Sequence, residues 1–466
     1  MIKKVIIAGA DAVGSHLAQL LAKDNLDIVV IDEDQEKTDA LTDSGNNDLM
    51  VINSSPSSVS CLKEAGVGRA SLFIAVTPSE SKNITCCMLA HALGAQTTVA
   101  QVDNAEYVQP QHEELFERMG INSLIYPEML ASQEIIEGLQ HSWVRQYWEV
   151  HGGALVMLGI KLREEARLLD VPLYKLCRPD SPFHIVALKR DEQTIIPGGG
   201  DCLRLGDIAY FMTTKKHIPL IRQLVGKEKY ADVSDVMVMG GGKTAVHLAH
   251  SKPGWLNMRI IEKSKERCRR LNEILENDDV IIICGDGSDS VTMQDEGIGE
   301  CQAFAALSEQ TERNILACLV AKRLGVRKTV AMVNETDYLS LAEKLDIGTI
   351  INKKAIAASH IYKMMLDARV ADVKCLSLAN ADVAEFEAAE GCPAVKHLVK
   401  DLGLPKGVAL GGLVRDGEGV SINGNTQIMP GDRVVVFSTG NLIKRMDRLF
   451  RGHSFGVTDK LINKFA

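Results

Sequence analysis

Short apolar runs alternate with stretches whose apolar residues recur every three or four positions, and the alternation covers the first 140 residues. Val5–Ala8 ends on Gly9 and Ile28–Ile31 ends on Asp32; Leu49–Ile52, Leu72–Val76 and Thr98–Val102 follow. Runs this short, bounded by turn formers, read as strands buried on both faces. Between them, Ala12–Lys23 places Val13, Leu17, Leu20 and Leu21 on one helical face. Lys82–Leu93 stops at Gly94, a helix C-terminal signal, and Pro127 opens a helix that runs to about Gln140. Strands and helices alternating at this spacing predict a doubly wound parallel α/β sheet. From Trp143 the pattern changes. Ala154–Leu162, Ile185–Lys189 and Ile208–Met212 read as strands, with turns at Pro197–Gly200 and Gly206-Asp207 and a closing helix over His217–Val225. This is a small α+β lobe.

After a charged linker, Gly226–Ser234, the pattern restarts. Val236–Met239, Met258–Ile261, Val280–Cys284, Ala303–Leu307 and Thr329–Val333 are five strands in the same order, and Lys353–Ala368 is the departing helix. A second strand-rich lobe runs from Val373 to about Leu449, with a turn at Pro430-Gly431-Asp432. The landmark pairs Gly9 and Gly240, Asn83 and Asn314, Gly94 and Gly325, and Tyr107 and Tyr338 are each separated by 231 residues, and Asp32 and Glu262 by 230. A repeat of this period is a duplicated two-domain unit, not a solenoid. The expected fold class is therefore α/β, two tandem Rossmann-like doubly wound parallel sheets, each followed by a small α+β lobe. The expected boundaries are 1–126, 127–226, 235–352 and 353–453.

The stretch Val236–His250 carries the strongest chemistry. A strand, the turn Gly240-Gly241-Gly242 and a helix start at Lys243 present backbone N–H groups to a phosphate with no side chain in the way. Ala245 is small enough for the helix to sit on the strand, and Lys243 adds positive charge. Glu262, about 20 residues on, is placed to accept from both ribose hydroxyls, which favours NAD(H). In the first half the same loop reads Gly9-Ala10-Asp11-Ala12-Val13-Gly14, so a carboxylate replaces the middle glycine, while Asp32 keeps the ribose position. Asp286 and Ser288 fall on a loop at a strand's C-terminal edge, where ligand contact and loop bracing are equally open readings. Asn83 and Asn314 begin helices on the other side of the same crevice, and capping is favoured over ligand contact.

Composition narrows the function. A formal charge of −9 argues against nucleic acid as a partner held by bulk electrostatics. Eleven scattered cysteines, without a C-x-x-C pair, read as reduced thiols. His247 and His250 lack further ligands, so no metal is expected. Lys265–Arg270 reads as a solvated basic face. No apolar run approaches the length of a membrane span, and Met1-Ile-Lys-Lys-Val leads straight into a strand, leaving no room for a signal peptide. No catalytic pairing stands out in the small lobes, so no enzymatic activity is expected. A duplicated binding unit without chemistry points to a sensor; an NAD-dependent oxidoreductase and a binding protein with no membrane partner stay open as alternatives.

These residues resemble the TrkA family, the regulatory subunits of bacterial Trk potassium uptake, which carry two tandem RCK (KTN) domains. The matching pieces are Val-Met-Gly-Gly-Gly at 238–242, Ile-Cys-Gly-Asp-Gly-Ser-Asp at 283–289, the helix from Asn314 to Gly325 and Pro430-Gly-Asp-Arg-Val434; in the first half they are Leu62–Gly66, Ile74–Thr77 and Asn83. The resemblance implies a nucleotide-sensing subunit on the cytoplasmic face of the inner membrane. It would form a homo-oligomeric ring, a tetramer of tandem chains, docked on a potassium-translocating subunit of the TrkH or TrkG type. NAD(H) is the implied ligand, with ATP or ADP as further candidates, and ligand binding would gate the pore through ring shape. The implied nucleotide contacts are Gly9, Ala10, Asp11, Ala12, Val13, Asp32 and Thr77, then Gly240, Gly241, Gly242, Lys243, Thr244, Glu262, Gly285, Asp286 and Ser308. Gln101 stands where the family often has a phosphate-holding arginine. With Asp11 it makes the second half the expected occupied site.

Overall fold

The computed structural model describes residues 4–22, 26–43, 49–178, 181–191, 193–335, 337–365, 370–376, 381–439 and 442–451. The chain divides into two compact units: Met1–Arg145 with Tyr230–Met365, and Gln146–Lys229 with Leu366–Ala466.

The first unit holds both parallel sheets. In one, Lys4–Ala8 (β1), Asp27–Asp32 (β2), Leu49–Asn53 (β3), Leu72–Ala75 (β4), Thr98–Gln101 (β5) and Ser123–Ile125 (β6) stand in the order β3-β2-β1-β4-β5-β6. Six strands replace the expected five. Ser123–Ile125 is too short to show a pattern of its own and is recruited by pairing with β5. The second parallel sheet repeats the order with Asp235–Met239 (β12), Asn257–Glu262 (β13), Val280–Cys284 (β14), Ala303–Ala306 (β15), Lys328–Met332 (β16) and Thr349–Ile351 (β17), the last again absent from the expectation. Central strands such as Val5–Ala8 and Val236–Val238 are fully buried because helices cover both faces.

The departing helices are exchanged between the halves. Ala131, Ile135 and Leu139 of the helix Pro127–Gln140 share a core with Leu248 and Ala249, which follow the second glycine turn. The helix Lys353–Met365 lies reciprocally against Ala12–Ala22; residues 366–368 of its expected span lie outside the described residues. Lys353 pairs with Glu128 at 3.2 Å across this junction. Lys328 is buried there and donates to Val144 O at 3.2 Å. Burial, with Arg145 nearby, lowers its pKa to about 7. Between about pH 7 and 10 the unfolded lysine therefore holds more proton than the folded one, so stability rises with pH over that window. Lys328→Met is expected to flatten this rise in urea melts and to stabilise at pH 7 by about 1–3 kcal/mol.

The second unit holds two antiparallel sheets. Gln146–Val150 (β7), Leu155–Lys161 (β8), Phe183–Arg190 (β9), Gln193–Ile195 (β10) and Ile208–Thr213 (β11) stand in the order β10-β9-β11-β8-β7. Val370–Leu376 (β18), Ala381–Glu387 (β19), Val408–Arg415 (β20), Glu418–Ser421 (β21) and Arg433–Thr439 (β22) stand in the order β18-β19-β22-β20-β21. The two turn signals, Gly206-Asp207 and Gly431-Asp432, prove to be equivalent clamps. Buried Asp207 takes Arg190 at 3.0 and 2.8 Å, and buried Asp432 takes Arg415 at 2.8 and 2.6 Å. Tyr210 and Phe437 meet in the shared core, ring centroids 5.7 Å apart.

Candidate functional site

In each parallel sheet the first strand pairs with the second on one side and the fourth on the other. Strand order reverses there, and a crevice opens beyond the strands' C-terminal ends. The glycine turns close the first strands at that point. Gly9 has φ 113° and Gly240 φ 99°, a region favouring glycine. A Cβ on Gly240 would stand 3.1 Å from Ser308 N, and one on Gly9 2.9 Å from Thr77 N, so each turn packs against the loop after the fourth strand.

Thr77 and Ser308 are themselves held by the two asparagines, and here the structure corrects the capping expectation. The residues preceding those helices are Ser79 and Gln310; Asn83 and Asn314 lie one turn inside and are buried. Asn314 Oδ1 accepts from Ser308 N (3.1 Å) and Ser308 Oγ (2.6 Å), while Nδ2 donates to Ser308 O (2.7 Å) and Met332 O (2.9 Å). Asn83 repeats the set with Thr77 N (2.8 Å), Thr77 Oγ1 (2.6 Å), Thr77 O (2.9 Å) and Gln101 O (2.9 Å). Each asparagine ties the fourth strand's loop to the fifth strand. The Gln101 side chain is turned inward, and its Oε1 is buried without a hydrogen-bond partner among the described residues.

The acidic residues at the second strands' ends are likewise drawn into the turns. Asp32 accepts from Ala10 N (2.5 Å) and Asp34 N (2.9 Å). Glu262 accepts from Gly241 N (2.9 Å) and Ser264 N (2.8 Å), with Arg267 at 3.4 Å. A carboxylate has about four acceptor directions, so Glu262 can still receive a ribose hydroxyl where the loosely held Arg267 now stands.

The halves differ where a phosphate would lie. Among the described residues nothing stands within 4 Å of a Cβ built on Gly242, which gives no side-chain cap to the helix Lys243–Ser251. The first-turn N–H groups there lack intrahelical partners. Lys243 reaches across to Asp103 of the first half, Nζ to Oδ1 3.2 Å. In the first half, Asp11 occupies the position of Gly242, and its Oδ1 pairs with Lys37 Nζ at 2.7 Å. That bond raises the Lys37 pKa and fills the phosphate position with the chain's own ion pair. Ala245 replaces Gly14, where any Cβ would overlap Gly9 O; the second turn is the roomier one.

Asp286 braces its own loop. It accepts from Ser288 N (3.0 Å), Ser288 Oγ (2.7 Å), Lys263 (3.1 Å) and Arg313. The Ser288 hydroxyl, then Arg313 and Lys263, hold its carboxyl well below the usual range. Gly285 and Gly287 allow this loop to pack on Thr292 and Met239. Arg313 and Lys263 bring positive charge to this loop; sequence reasoning missed both, although Lys263 follows Glu262 and Arg313 precedes Asn314. Thr244 is buried, whereas Ala12 and Val13 open the helix Ala12–Ala22, with Ala12 exposed. His247 packs edge-on against Tyr126 (4.7 Å), and His250 pairs with Asp278 at 2.8 Å. Lys265, Arg267, Arg269 and Arg270 are exposed, as a solvated face requires. Among the described residues no three metal-ligating side chains cluster, and no helix is long and apolar enough to cross a membrane.

Comparison with known proteins agrees with this architecture. The TrkA-N domain matches twice, over residues 5–127 and 236–353, and the TrkA-C domain matches residues 383–451. The chain is 28% identical to the Trk system potassium uptake protein TrkA of Azorhizobium caulinodans, covering 96% of this chain and 98% of that protein. It is 27% identical to that of Haemophilus influenzae, covering 97% and 100%. Among solved structures, the GsuK RCK domain superposes with a TM-score of 0.57 at 15% identity, covering 97% of this chain and 95% of that one. The GsuK channel bound to NAD gives 0.57 at 15% identity, covering 97% and 79%. At that identity the likeness concerns the fold, which is that of RCK domains. With TrkA-N domains over residues 5–127 and 236–353 and a TrkA-C domain over 383–451, the chain belongs to the TrkA family.

Proposed function

We propose that the chain is a regulatory subunit of a potassium uptake system that senses NAD(H) through its second half, with ATP or ADP as competing ligands, and that it does not turn the nucleotide over. The observation that carries this is the contrast between the two turns: Gly242 leaves a helix N-terminus open beside buried Glu262 and the cations Lys243 and Arg313, whereas Asp11 and Lys37 close the equivalent place. The names of the full-length relatives support potassium uptake as the process. The RCK fold supports a ring of chains on the cytoplasmic side of a membrane subunit of the TrkH or TrkG type, a tetramer in our reading.

The chain's own contacts suggest how binding would be felt. A pyrophosphate at Gly240–Lys243 competes with Asp103 for Lys243, so occupancy loosens an ion pair joining the two halves. A ligand shifts a conformational equilibrium only by its differential affinity for the two states, and this pair provides such a difference. Calorimetric titration of the full-length protein with NADH is expected to show one site per chain, with no consumption of NADH. Glu262→Ala is expected to weaken binding about tenfold, the worth of one charge-assisted contact. Two equal sites, or an affinity unmoved by Glu262→Ala, would contradict the reading.

A further inference from the structure

We propose that Cys268 and Cys284 form a reversible disulfide behind the nucleotide carboxylate, a modification site built into the second half alone. Glu262 and Cys284 are direct partners in the β13–β14 ladder, where neighbouring strands run about 4.8 Å apart. The Cys268 Sγ donates to Glu262 O at 3.2 Å. Both sulfurs therefore flank one peptide group. The first half shows that these two positions touch: Thr38 and Asn53 occupy them, Asn53 Nδ2 donating to Thr38 Oγ1 and to Asp32 O, each at 3.3 Å. The second half puts a thiol on each side of this contact.

Access and acidity order the chemistry. Among the described cysteines Cys284 alone is exposed, while Cys268 is buried. Burial, and then the neighbouring Cys284 thiol, push Cys268 up to about 11. Cys284 thus reacts first. Its thiolate attacks a low-molecular-weight disulfide, breaking that S–S bond, forming a mixed disulfide and releasing one thiolate. Cys268, losing its proton to water, then attacks the Cys284 sulfur and expels the second thiolate. The protein gives up two electrons and two protons, and the small disulfide is reduced to two thiols. The new bond draws Cys268 from Glu262 O and pulls on the helix start whose Ser264 N and Arg267 hold the Glu262 carboxylate. The consequence for affinity rests on the nucleotide reading above.

The test exposes the full-length protein to oxidised glutathione, counts alkylatable thiols by mass spectrometry and titrates with NADH. Two thiols per chain are expected to disappear with a Cys268–Cys284 crosslink, to return on reduction, and to persist in Cys284→Ser. Cys268→Ser should trap glutathione on Cys284. A wild-type chain that keeps Cys268 alkylatable, or stops at the mixed disulfide, overturns the proposal. NADH affinity is expected to fall about tenfold on oxidation of the wild type and not of Cys284→Ser; an unchanged affinity in the crosslinked chain overturns the coupling. If the reduced protein binds no NADH, the nucleotide reading fails, and the thiol count still decides the disulfide.

Discussion

Asn314→Leu is expected to lower the stability of the unit carrying the parallel sheets by about 3–5 kcal/mol, the sum of several unmet hydrogen bonds at roughly 1–3 kcal/mol each. The substitution keeps the branched side-chain skeleton but removes four bonds from a fully buried amide. Ser308 N–H and the carbonyls of Ser308 and Met332 are then left buried without that partner. The loss falls on the junction of β15 and β16, so the crevice edge opens with it. Urea unfolding followed by circular dichroism reads the effect as a lower midpoint of the first transition. Asn83→Leu should match it, since the first half makes the same four bonds. A midpoint unmoved in both variants would show that the asparagine clamps do not hold the strands.

Gly242→Asp should have the largest effect on ligand binding, weakening NADH by about 100-fold, or about 2.7 kcal/mol. The described residues leave room: none lies within 4 Å of a built Cβ, and φ is −78°. Aspartate is also a strong N-cap, so the helix should gain a little stability, about 0.3 kcal/mol over glycine, while the site loses its ligand. The carboxylate stands where the pyrophosphate needs bare N–H groups and repels its charge. Binding and thermal stability should therefore move in opposite directions, which separates lost recognition from misfolding. The first half already carries this arrangement in Asp11, with Lys37 as the counter-ion. Calorimetry on Gly242→Asp that returns the wild-type affinity would place the ligand elsewhere.

Much of the architecture was legible because it depends on local pattern. Apolar runs closed by Gly9, Asp32, Gly240 or Glu262 mark parallel strands and crevice edge together, since a buried strand must end where its backbone turns to solvent. The three-residue strands β6 and β17 escaped because they are paired by the sheet, not specified by their own residues. Asn83 and Asn314 were visible as a repeated pair, but their position near a helix start suggested a cap. Only the placement of Thr77 and Ser308 beside them shows where their amides point. Arg313 and Lys263 went unnoticed because a lone cation on a helix or loop carries no signal until an acidic partner such as Asp286 is brought to it.

The sequence by itself determined the duplication, the order of strands and helices, the two glycine turns and the inequality between Gly242 and Asp11, because each is a property of neighbouring residues or of a constant offset. Only the tertiary structure decided that Lys37 neutralises Asp11, that Lys243 reaches Asp103 of the other half, that the departing helices are exchanged, and that Cys268 and Cys284 flank Glu262. Asp11 and Lys37 lie 26 residues apart, Asp103 and Lys243 140, and the helices Ala12–Ala22 and Lys353–Met365 more than 330. Such contacts are created by chain crossings and buried faces, and a side chain's partner across a crossing leaves no trace in the residues beside it.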